Sequence, residues 1–71
     1  MDIWIKVAGR KFPASSPLSA ASHAMRTGET RLIVGRGDKE VYKEIPEGAS
    51  IQEIRFLAHS GIRALGGKVF S

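Results

Sequence analysis

The chain contains no cysteine, no run of three basic residues and nothing close to the roughly twenty consecutive apolar residues of a membrane span. Without cysteine there is neither a disulfide staple nor a thiolate metal site. The opening stretch "MDIWIKVAGRKF" has an acid at position 2 and only a short apolar run. It does not read as a signal peptide, so the expected compartment is the cytoplasm, with no membrane partner.

Catalytic chemistry is also scarce. There are two histidines, His23 and His59, and seven carboxylates. No HExxH, GxSxG, P-loop or dinucleotide-binding glycine pattern occurs. Four of the carboxylates, Glu29, Asp38, Glu40 and Glu44, fall in or beside one predicted hairpin. The histidines belong to different predicted helices and lack the clustered ligand spacing of a structural zinc site. A catalytic site would have to be built from His59 with a Ser or Asp brought near by folding, and 71 residues leave little scaffold to enclose one. The expectation is therefore no catalytic residue, no metal and no cofactor.

What is present is the composition of one folded domain spanning residues 1–71, 42% hydrophobic and 25% charged. At this length a single core is near its lower limit of self-sufficiency, so stability rests on packing alone or on packing plus a second chain. Eleven Lys and Arg against seven Asp and Glu give a net charge of +4. Such a field suits nucleic acid or an acidic protein surface.

"DIWIKVA" alternates, with Ile3, Ile5 and Val7 on one face and Trp4 and Lys6 on the other, which predicts a half-buried strand. After it, Gly9-Arg10 either turns the chain into a short second strand ended by Pro13 or leads into a loop. "ASSP" predicts a helix start with Ser16 as N-cap and Pro17 at the first helical position. Gly28 is placed to end that helix.

"LIVGRGDKEVY" contains the Arg36-Gly37-Asp38 triplet. An adhesion motif would require an exported protein, and a phosphate-binding glycine loop would require a following helix. A strand follows instead. With Gly37-Asp38 as a two-residue turn, Val34 faces Val41, Ile33 faces Tyr42 and Arg31 faces Glu44, whereas a three-residue loop would set Arg31 against Lys43. The triplet is thus predicted to be a hairpin turn, with Arg36 and Lys39 flanking its tip and pointing into water.

Ser50 with Glu53 three residues on forms a capping box. Over helix 50–65, Ile51, Ile54, Leu57, Ala58, Gly61, Ile62 and Leu65 gather on one apolar face. Gly66-Gly67 ends the helix, and "KVFS" offers a last short strand. The order is β-α-β-β-α with a final strand, an α+β fold with two helices on one face of an antiparallel sheet, which fits a compressed ferredoxin-like arrangement. The alternative, supported by a weak similarity between "VAGRK" and "VGRGDK", is two hairpin-plus-helix units.

Two surfaces stand out. The far side of helix 50–65 gathers Gln52, Arg55, Phe56, His59 and Arg63 within about 100° of arc. Basic residues around one aromatic ring suit an acidic protein groove with an apolar anchor, or phosphates and stacked bases. The bland reading is that Phe56 packs under a loop or against a second copy, and that both histidines are ordinary, partly exposed helix residues. The second surface is the sheet face the helices leave open. There Trp4, Ile33 and Tyr42, framed by Lys6 and Arg31, offer a base-stacking platform or a homodimer surface. The ribonucleoprotein aromatic signature is absent from it.

In size, lack of cysteine and one-domain α+β build, the chain resembles small accessory proteins of phages and mobile elements, anti-CRISPR proteins among them. No residue pattern carries this likeness, and it assigns no site. It implies a small non-catalytic protein that docks on a nucleic-acid-handling protein or complex as inhibitor or accessory factor. The alternative is direct DNA or RNA binding through the same basic residues or through Trp4 and Tyr42.

Overall fold

The structure is a computed structural model that describes residues 2–67 of the 71. β1 (Ile3–Val7) turns tightly into β2 (Arg10–Pro13), α1 (Pro17–Thr27) follows, then the hairpin β3 (Arg31–Arg36) and β4 (Lys39–Glu44), and finally α2 (Ile51–Ala64). The segment 10–13 is therefore a strand. The first hairpin closes on Ala8-Gly9, both with positive φ (49° and 80°), the signature of a type I′ turn that matches strand twist. The second closes on Gly37-Asp38, with Gly37 at φ 63° as the first central residue.

The hairpin register is the one the side chains predict: Val34 opposite Val41, Ile33 opposite Tyr42, and Arg31 opposite Glu44, the last pair joined at 3.4 Å. In the sheet the strands run β2-β1-β3-β4, antiparallel throughout. In a ferredoxin-like arrangement the second strand of the hairpin would lie beside the first strand of the chain. Here the first hairpin strand does so, because β2 reverses the chain before α1 and delivers β3 antiparallel to β1. The architecture is the two hairpin-plus-helix alternative, within the expected α+β class. The final strand expected in "KVFS" lies outside the described residues.

Both helices cover one face. α1 packs on β1 and β2, α2 packs on β3 and β4, and the helices touch each other. Between the layers lies one core of Ile5, Val7, Phe12, Leu32 and Val34 from the sheet, closed by alanines of α1 and by Ile54, Ala58 and Ile62 of α2. Alanines let α1 approach closely without long side chains. At Gly61 an added Cβ would stand 2.6 Å from a methyl of Val34, so α2 sits on β3 at a distance only glycine permits.

The helix ends differ in quality. Ser50 Oγ accepts from the Glu53 N–H at 3.2 Å, and the Glu53 carboxylate accepts from the Ser50 N–H at 3.0 Å, completing the capping box. The Ser50 N–H, and after it the Ser50 hydroxyl, hold the Glu53 carboxyl below its ordinary pKa. Ser16 precedes α1 as expected, but with ψ at 53° its side chain makes no capping bond. Gly28, left-handed at φ 68°, ends α1, and the Glu29 N–H returns to the Ala24 carbonyl at 3.0 Å.

Candidate functional site

The outward side of α2 divides into two groups. Gln52, Phe56 and Arg63 face solvent, and Phe56 is 64% exposed, the most exposed large hydrophobic side chain described. Arg55 is half-buried and His59 is only 9% exposed. His59 was expected to be partly exposed, so this is a correction. Its cause is the helix–helix contact: α2 packs against α1 as well as against the sheet, and a second neighbour widens the buried arc beyond the apolar stripe. The rings of Phe56 and His59 meet edge to face, with centroids 6.3 Å apart. Phe56 thus stands on a buried imidazole rather than lying loose in solvent.

Burial, and after it the charges of Arg55 and Arg63, push the His59 pKa below its ordinary value and keep the ring neutral. Its Nε2 has no hydrogen-bond partner among the described residues, and neither does Nε of Arg55. Among the described residues no three His, Asp or Glu side chains gather closely enough to hold a metal ion. No described helix is long and apolar enough to cross a membrane.

At the hairpin tip the two basic residues also part. Lys39 is exposed, as expected. Arg36 does not point into water: it is half-buried, and its guanidinium donates to the Leu65 carbonyl at 2.8 Å. A cation at the C-terminal end of α2 satisfies a carbonyl the helix leaves unpaired and meets the negative end of its dipole. Arg36 ties the second hairpin to the end of α2, and sequence spacing gave no sign of it because the partner lies 29 residues away.

The open face of the sheet carries Trp4, Lys6, Lys11, Ile33 and Tyr42, arranged by the β2-β1-β3-β4 register. Tyr42 is engaged on both sides. Its hydroxyl donates to Glu40 at 3.0 Å, which raises its pKa, and the Arg31 guanidinium lies over its ring at 5.5 Å. Trp4 is placed differently. Its six-membered ring occupies the space a Cβ on Gly35 would need, with Cζ2 nearest and its two bonded neighbours only slightly and equally farther. A ring approached edge-on would put those neighbours much farther away, so the indole lies face-down on Gly35. The Lys11 ammonium stands 4.7 Å from the ring centroid. Beside this ring an open cleft of about 730 Å3 wraps the end of the sheet, with Trp4, Lys11, Pro13, Ser15, Arg36 and Gly67 among its lining residues. Sequence reasoning placed Trp4 on this face, but Lys11 and Gly35 were missed because only the pairing of β1 with β2 and β3 brings them to it. Compared with protein-family models, with curated proteins and with solved structures, the chain matches none.

Proposed function

We propose that the chain is a non-catalytic binding protein that docks through the outward side of α2 on a nucleic-acid-handling protein or complex, as inhibitor or accessory factor. The observation that carries this reading is the exposure of Phe56 on a helix whose other large apolar residues are buried or half-buried. An aromatic ring braced from below by His59 loses little conformational freedom on binding, which is what an anchor residue requires. Arg63 and Gln52 border it and match an acidic, hydrogen-bonding rim on the partner. Lys39 adds a separate positive point at the hairpin tip. Arg36 and His59 take supporting roles, one holding the end of α2 and the other holding the ring.

The test is site-specific photo-crosslinking from position 56, and in parallel from the exposed position Glu47, followed by affinity measurement on the captured partner. The expected result is one partner with an acidic surface, captured from position 56 only. Phe56→Ala should weaken it by about thirtyfold, the scale of an interface hot spot. Salt should have a mild effect. Equal binding by wild type and Phe56→Ala would overturn the assignment.

A further inference from the structure

We infer that the open sheet face carries a second site, for single-stranded nucleic acid, in which a base stacks on the outer face of Trp4 while the adjoining phosphate is held by Lys6 and Lys11. The site lies on the opposite side of the sheet from the helices and does not depend on the docking role of Phe56.

Three observations converge on it. The first is the flat indole. One face rests on Gly35, which fixes the ring parallel to the sheet, and the flexible Lys11 stands over the ring. A lysine–indole contact at an exposed position is weaker than a stacked base, so a base can displace it. The second is an uncompensated charge pair. Lys6 and Lys11 stand directly opposite each other on β1 and β2, an arrangement that destabilises a sheet. The ion pair found among the described residues, Arg31–Glu44, lies elsewhere on the face. A phosphate between the two ammonium groups would remove that repulsion.

The third is spacing and direction. Trp4 and Lys6 project from the same face of β1 two residues apart, about 7 Å, so a ring on one sets its own backbone beside the other. Asp2, two residues before Trp4, repels a phosphate on that side and directs it toward the lysines. The β4 side of the face carries Glu40 and Glu44, with Tyr42 and Arg31 already engaged there. The strand therefore follows the β2–β1 side and contributes one stacked base rather than a row of them. Stacking on an indole requires an exposed base face, which a duplex does not offer.

Trp4 is the only tryptophan of the chain, so intrinsic fluorescence reports on the proposed contact directly. The full chain is titrated with a short oligothymidylate, with AMP, with inorganic phosphate and with a DNA duplex, at several salt concentrations. Saturable quenching by the oligonucleotide is expected, with a log–log salt slope of about −1.4, two single-strand phosphate contacts at about −0.7 each. Lys6→Gln with Lys11→Gln should bring that slope close to zero while leaving the fold intact, since it removes a repulsion. Gly35→Ala should weaken quenching while keeping both lysines, because the added Cβ lifts the ring. Phe56→Ala should change nothing. Quenching by AMP as strong as by the oligonucleotide would overturn the assignment to a nucleic-acid strand. Absence of quenching, quenching by phosphate alone, equal response to duplex, or a salt slope that survives loss of both lysines would each overturn the inference. So would a dimer in solution that already buries Trp4.

Discussion

Gly61 lies against Val34 on the covered face of the sheet, and Gly35 lies beneath Trp4 on the open face. Both glycines exist because a large side chain occupies the place of a Cβ, yet the two contacts differ in what can give. Val34 is fully buried between β3 and α2, and no described neighbour offers it room. Trp4 is seated on Gly35 from one side only, with the flexible Lys11 over the other. The covered face is thus held by packing on both sides, whereas the ring on the open face is held on one side and leaves the other to a ligand, which is the combination a binding surface needs.

The largest test of this contrast comes from two neighbours on β3. Leu32 is fully buried and Ile33, the next residue, is half-buried on the other face. Leu32→Ala should cost about 2–5 kcal/mol in urea unfolding, through lost transfer energy and a residual cavity. Ile33→Ala should cost less than about 1.5 kcal/mol, because only part of its surface leaves water. Equal costs would mean that the open face is as deeply covered in solution as the helical one, and would point to a second copy of the chain.

The two glycines come next. Gly61→Ala gains about 1 kcal/mol of helix propensity but forces a methyl to within 2.6 Å of Val34, an overpacking worth about 1–3 kcal/mol. A net loss near 1 kcal/mol is expected. Gly35→Ala should leave stability within about 0.5 kcal/mol, since relief of glycine's backbone entropy offsets the displaced ring. Its signature is instead a red shift of Trp4 emission as the indole enters water. If Gly35→Ala proves the more destabilising of the two, Trp4 is a structural cover and not a binding platform.

What the sequence made legible follows the range of the interactions involved. The capping box at Ser50 and the β3–β4 register were readable because their partners lie within a few residues, linked by spacing or by cross-strand charge. β2 was ambiguous because "RKFP" has one inward apolar residue and a terminal proline, too little alternation to declare a strand. Strand order was not readable at all, since the β1–β3 pairing joins residues about thirty positions apart. The same distance hid the Arg36–Leu65 bond and the approach of Trp4 to Gly35. A helical projection of one segment cannot register a second helix, which is why His59 was expected to be more exposed than it is.

That buried histidine gives a smaller, pH-dependent effect. Its folded pKa is depressed by burial and by the charges of Arg55 and Arg63, while the unfolded value stays near 6.5. The unfolded chain therefore binds the extra proton first as pH falls. The stability that the neutral ring contributes should be fully present above about pH 7 and decline from about pH 6.5 downward. Urea midpoints between pH 7.5 and 5 should fall for the wild type and stay flatter for His59→Gln. A parallel decline in both would assign the pH dependence to the carboxylates instead.

The smallest expected effect concerns the first hairpin turn. Ala8 is the one non-glycine residue with positive φ among those described, at 49°. That region costs a residue with an ordinary side chain about 1 kcal/mol, and asparagine tolerates it best because its amide bonds to local backbone. Ala8→Asn places the Asn-Gly pair that type I′ turns favour between β1 and β2. A gain of about 0.5–1 kcal/mol is expected in thermal unfolding, with Trp4 emission unchanged. The substitution stiffens the hairpin that carries both Lys6 and Lys11 without touching either lysine or the indole. If it also sharpens oligonucleotide binding, the pairing of β1 with β2 is itself part of the site. If binding is unaffected while stability rises, the lysines find the phosphate through their own flexibility, and the rigidity that matters is that of Trp4 on Gly35.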